Sequence, residues 1–123
     1  YETLKIPNFL IFPGSELKLL KGLELGNSGI ISAICNVTAP LARKVYDDFF
    51  AKNTQTHNEK LCNVRKTFDQ FNLISGLHTF MSDQDMIFKN VLPTLSLLND
   101  NDKKKLIGDL NKSNFNLESL KAA

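Results

Sequence analysis

Hydrophobic positions change rhythm along the chain. In the first third they come in short unbroken runs, Asn8-Phe9-Leu10-Ile11-Phe12 and Gly29-Ile30-Ile31-Ser32-Ala33, each closed by turn-forming residues. Runs of this kind predict strands buried on both faces. Between them Ser15 is placed to cap a helix from Glu16 to Leu25, with Leu17, Leu20 and Leu23 at helical spacing and Gly26 as its stop. After the second run, Asn36 or Thr38 can cap a helix with Pro40 in its first turn, and Leu41, Val45 and Phe49 make its apolar stripe. The result is two consecutive βα units. Right-handed crossovers join such strands in parallel, and a two-strand parallel sheet cannot bury itself. The stretch from Gly29 to Pro40 therefore reads as the last stave of a larger α/β barrel, with this chain as its C-terminal part.

The rest of the pattern is helical. Leu61, Val64, Phe68 and Phe71 predict a long amphipathic helix from Thr56 to Leu73, interrupted by Gly76. A second helix starts near Leu77 and carries Phe80 and Met81, with Met86, Ile87 and Phe88 beyond it. Pro93 closes that region, and Leu92 to Leu98 reads as an extended apolar connection. Asn99 or Asp100 caps a helix to Asn111 built on Leu106 and Leu110, and Asn116 caps a last turn from Leu117 to Lys121. At the other end, Tyr1 to Lys5 reads as the tail of a helix stopped by Pro7.

Composition narrows the function classes. Fifteen Lys and Arg against thirteen Asp and Glu give a net charge of +2, too balanced to imply nucleic acid or a membrane surface. No apolar run approaches the roughly 20 residues that span a bilayer. Cys35 and Cys62 have no metal-ligand spacing and fit reduced thiols in a cytoplasmic protein.

Candidate chemistry lies at the C-terminal ends of the two strands, where parallel α/β folds place their sites. The first place is Pro13-Gly14-Ser15-Glu16. Gly14 allows close backbone approach, and Ser15 and Glu16 can hydrogen-bond a polyhydroxylated ligand; a tight turn with an N-capped helix is an equal reading. The second is Ile31 to Asn36, where Ser32 puts a hydroxyl in an apolar strand and Asn36 caps the next helix. His57 reads as solvated and His78 as a packing or surface residue; neither has a partner at zinc-ligand spacing. Neither cysteine has an evident base. Lys103-Lys104-Lys105 reads as a solvated helix face, and Phe68 with Phe71 as core.

These residues resemble a known family. Phe9-Leu10-Ile11-Phe12-Pro13-Gly14-Ser15-Glu16, Gly22, Gly26 and Gly29-Ile30-Ile31-Ser32-Ala33-Ile34-Cys35-Asn36-Val37 look like strands seven and eight of the dihydrodipicolinate synthase / N-acetylneuraminate lyase family. Leu92-Pro93-Thr94-Leu95-Ser96-Leu97 looks like the connection in its C-terminal helical extension. The resemblance implies an α/β fold, the C-terminal part of a (β/α)8 TIM barrel, with residues 1–53 as its last two βα units and 54–123 as the helical extension. It implies a class I aldolase, lyase or synthase in which a strand-six lysine forms a Schiff base with pyruvate or another 2-oxo acid, and a strand-five tyrosine moves the proton toward an aldehyde partner. Both residues would lie upstream of Tyr1, so no catalytic residue is expected here, and Lys5 is no substitute. No metal or other cofactor is implied, and the full-length protein would be a homotetramer. What carries over is substrate binding by Gly14, Ser15, Glu16, Ile31 (through its backbone carbonyl) and Ser32, with Phe12, Ile31 and Ile34 supplying an apolar surround. Ser15 stands where many members have an acid or an aromatic residue, and Ala33 where the sialic acid lyases have a serine. The alternatives are a non-catalytic small-acid binder of the same fold and a small helical interaction protein. Two solitary parallel strands argue against the latter.

Overall fold

The computed structural model describes residues 6–116. The expected helix tail at Tyr1–Lys5 and the expected last turn at Leu117–Lys121 lie outside the described residues. The chain divides into two compact units, Tyr1–Leu61 and Cys62–Ala123.

In the first unit the two apolar runs do not form regular strands, and no β-strand occurs among the described residues. Asn8 takes a left-handed backbone (φ 62°) in a turn that Phe9 N–H closes onto the Ile6 carbonyl at 3.2 Å. Further on the runs do lie side by side and advance in the same direction. Ser28 N–H donates to the Ile11 carbonyl at 2.9 Å, and Ile31 N–H to the Pro13 carbonyl at 3.2 Å. Three steps from Ser28 to Ile31 thus face two from Ile11 to Pro13, the mismatch of a bulge. Gly29 sits inside it at φ 150°, a conformation that side chains rarely allow. Two bonds and a bulge make no ladder. The second run also ends early, because Cys35 N–H already donates to the Ser32 carbonyl and Asn36 N–H to Ala33.

Helices supply the order here. Ser15 caps as expected, its hydroxyl accepting from Leu17 N–H at 3.3 Å. A 3-10 turn over Glu16–Lys18 leads into helix α1, Leu19–Glu24, which Gly26 closes at φ 85°. Helix α2 covers Cys35–Phe50 and starts earlier than expected, with Ile34 at its N-cap. Neither Asn36 nor Thr38 caps it: Asn36 Nδ2 donates to the Ala33 carbonyl, and Thr38 is buried inside the helix. Leu19 and Leu23 of α1 pack with Ala42 and Val45 of α2 and with Leu61, and Leu41 and Phe49 lean on that cluster. The predicted stripe is therefore the core face.

In the second part of the chain the two expected helices are present, with the break between them moved from Gly76 to Asn72. Helix α3 covers Asn58–Phe68 and helix α4 covers Leu73–Met81. The break falls at Asn72, whose side chain accepts from Ser75 N–H at 3.1 Å and so starts a new helix. Gly76 lies within α4 instead of interrupting it, close against Phe68. A 3-10 turn at Met86–Lys89 follows, capped by Asp85, and Asn99 caps helix α5, Asp100–Lys112. The core is Phe68, Leu77, Phe80, Leu106, Leu110 and Phe115, with the Phe80 ring edge-on to Phe68 and stacked on Phe115. Phe71, expected in this core, is half-buried under the Lys105 ammonium. Lys103 pairs with Asp83, and Lys105 with Gln70 and Asp109, on the exposed face expected for the lysine run. His78 Nδ1 bonds the Phe88 carbonyl at 2.8 Å, and Leu98 N–H donates to Thr79 Oγ1 at 2.9 Å, so the connection is held to α4 at two points.

The glycines make a test. Nothing lies within 4 Å of an added Cβ at Gly108 in α5, so Gly108→Ala is expected to stabilise the protein by about 0.5–1 kcal/mol. Gly29→Ala is expected to destabilise it by about 1 kcal/mol or more, through the backbone strain. Urea unfolding of both variants measures the two signs.

Candidate functional site

The turn after the first apolar run and the start of α2 meet through one side chain. Glu16 opens the 3-10 turn, and Ser15 as its cap fixes where that turn begins. From there the Glu16 side chain is directed inward and is fully buried. A buried carboxyl group needs hydrogen-bond donors. Ser32 Oγ donates to Glu16 Oε2 at 2.9 Å, and Thr38 Oγ1 and Cys35 Sγ donate to Oε1 at 3.1 and 3.4 Å. Thr38 Oγ1 also lies 3.0 Å from the Ile34 carbonyl, so its single proton serves two acceptors.

Of the expected site residues, the structure brings Glu16 and Ser32 into direct contact. Gly14 is exposed, and a Cβ built on it would lie 3.8 Å from the Ile31 carbonyl oxygen. Ile31 donates its N–H to Pro13, and its side chain is 72% exposed. Gly14, Ile31 and the half-buried Ser32 therefore share one edge, with Ser15 beside them at the cap. Phe12 is exposed as well, whereas Ile34 is fully buried. Glu16 touches Ser32, Cys35 and Thr38 from within, a place behind that edge. Asn36 is exposed and folds back on Ala33.

Cys35 and Thr38 escaped the sequence reading as site residues. The signal was there: Ser32, Cys35 and Thr38 recur every third position, which puts their three polar side chains on one face as the helix begins. Burial, the Glu16 charge and the Glu16 hydrogen bond push the Cys35 thiol up to about 11. That disfavours the thiolate, so Cys35 is a donor here and a poor nucleophile. Among the described residues, no group of three His, Cys, Asp or Glu side chains can hold a metal ion. His57 is bonded to Asp48 and Thr56, away from these residues in sequence and in bonding. The arrangement can bind and orient a ligand. It offers no activated nucleophile.

Residues 2–112 match the dihydrodipicolinate synthetase family. Among solved structures the chain is similar to a monomeric dihydrodipicolinate synthase variant, at 17% identity and a TM-score of 0.77 over 88% of this chain and 37% of that one. It is similar to the dihydrodipicolinate synthase from Thermotoga maritima at 17% identity and a TM-score of 0.76, over 87% of this chain and 37% of that one. No curated protein matches. At such identity the likeness carries the fold, and the chain spans little more than a third of the length of either relative.

The raised Cys35 thiol predicts slow alkylation. At pH 8, iodoacetamide should label Cys35 about 100-fold more slowly than an ordinary thiol, because its thiol is pushed up from 9.0 to about 11. Glu16→Gln should recover part of that rate, since burial persists while the charge goes. Equal Cys35 rates in peptide mass spectra of both proteins would contradict the role given to Glu16.

Proposed function

The chain belongs to the dihydrodipicolinate synthetase family, and on that premise we propose that it is the C-terminal part of a pyruvate-dependent class I aldolase, lyase or synthase. In this reading residues 1–53 occupy the place of the last two βα units of a (β/α)8 barrel, and 54–123 the helical extension. Exposed Phe9, Leu10, Phe12 and Ile31 support it, because such side chains call for further staves of a barrel to cover them. A homotetrameric, cytoplasmic full-length protein belongs to the same reading. Among the described residues no helix is long and apolar enough to cross a membrane.

The observation that carries the function is the Ser32–Glu16 hydrogen bond of 2.9 Å, which joins the turn at Gly14 to the edge at Ile31. Gly14, Ser15, Ile31 and Ser32 form a substrate-binding wall, and Glu16 holds it from behind. A lysine upstream supplies the chemistry. Its neutral amine attacks the ketone of pyruvate, the ketone oxygen leaves as water, and the resulting iminium loses a proton to give the enamine that adds to an aldehyde. An apolar, water-poor surround lowers the lysine pKa and keeps that amine neutral, and exposed Phe12 and Ile31 contribute to it. The Ile31 carbonyl and the Ser32 hydroxyl orient the reacting groups, so the rate benefits from position alone.

Borohydride reduction in the presence of pyruvate tests this. The full-length protein should gain one stable carboxyethyl group on a lysine upstream of Tyr1, whereas the 123-residue chain alone should gain none. Pyruvate binding without any trapped adduct would favour a non-catalytic small-acid binder instead.

A further inference from the structure

Helix α1 ends in a Schellman turn. Asn27 N–H donates to the Gly22 carbonyl at 2.8 Å, and Gly26 N–H to the Leu23 carbonyl at 2.9 Å. In such a turn the residue at the Asn27 position commonly makes an apolar contact back onto the residue at the Gly22 position. Here that place holds an amide. Asn27 is 7% exposed, and a Cβ built on Gly22 would lie 3.0 Å from its Nδ2. Among the described residues nothing accepts from that buried nitrogen. A buried donor without an acceptor costs stability, so the turn alone would be better served by a hydrocarbon side chain.

Asn27 lines a groove of about 330 Å³. Buried Pro13 and Gly22 make its floor, and the exposed side chains of Leu17 and Leu25 make apolar walls. Lys18 and Lys21, both exposed, bring two positive charges to it. Lys21 meets Glu24 at 3.1 Å, an exposed pair that holds the ammonium only weakly against a competing anion.

From this we infer that the groove is a binding site for a small organic carboxylate with an apolar body. The floor offers a donor, so the ligand brings an acceptor; the lysines make that acceptor an anion; the leucines call for hydrocarbon beside it. Asn27 Nδ2 donates to a carboxylate oxygen, Lys18 and Lys21 balance the charge, and the apolar body lies on Leu17 and Leu25. The last torsion of an asparagine side chain turns easily, which lets the amide nitrogen leave Gly22 and face the ligand. Binding here needs no pyruvate chemistry.

Hexanoate is the probe, with acetate as the control for the apolar body and hexylamine for the charge. Thermal unfolding of the full-length protein should show a saturable rise in Tm with hexanoate and none with hexylamine. Acetate should bind at least about tenfold more weakly, for want of four methylenes. Asn27→Leu keeps the branching of the side chain and removes the unpartnered donor. It should raise the Tm of the free protein and weaken hexanoate about tenfold or more. A fall in Tm would mean that the fold itself needs the amide, and would overturn the inference. Lys18→Met with Lys21→Met should weaken hexanoate about fivefold, and this pair still decides if Asn27→Leu does not fold. The inference is also overturned if hexanoate and hexylamine act alike, or if either variant keeps the full hexanoate affinity. Displacement of hexanoate by pyruvate would place the carboxylate at the substrate wall and count against the groove. No rise with hexanoate, as when residues preceding Tyr1 fill the groove in the full-length protein, would overturn it too.

Discussion

A carboxyl group withdrawn from water must find donors, and the first unit of this chain is arranged around meeting that need at Glu16. Ser32, Cys35 and Thr38 donate to it, all from the stretch where α2 begins. Losing one partner of such a network leaves a buried acceptor short, at a cost of about 1–3 kcal/mol. That penalty explains how irregular backbone can hold a defined shape. The two apolar runs exchange two backbone bonds across a bulge, too few to fix their register. The side-chain network and the α1–α2 packing do the fixing.

Helices were the legible part of the sequence. Ser15 and Asn99 cap where their residue types say they should, and the stripes on Val45, Leu106 and Leu110 are buried. Each rests on contacts within a few residues, which local pattern encodes well. The break expected at Gly76 and found at Asn72 shows the limit. Gly76 looked like the interruption because glycine is the weaker helix former, yet Asn72 starts a helix actively by bonding Ser75 N–H. A cap outcompetes a propensity. Gly76 is instead the residue that lets α4 approach Phe68.

The apolar runs were misread for a different reason. A run of β-branched residues reports burial, but pairing depends on the partner's register, which the run itself does not contain. Nothing in Gly29-Ile30-Ile31 announces that Ser28 to Ile31 spans one residue more than Ile11 to Pro13. The candidate site was half legible on the same grounds. Position at the ends of the runs picked out Gly14, Glu16, Ile31 and Ser32, whereas the burial of Glu16 depends on contacts 16 to 22 residues away in sequence.

The connection between α4 and α5 has an evolutionary consequence. Between Asp85 and Asn99 the chain is tied to α4 by the His78–Phe88 and Thr79–Leu98 bonds, while Met86, Ile87 and Leu92 face outward. Extra residues placed between those two ties would disturb neither the caps nor the aromatic core. Doubling such a loop costs only about 0.6 kcal/mol in closure entropy. The segment is thus a place where related sequences can gain or lose length freely, and where a new surface can be acquired without refolding what lies beneath.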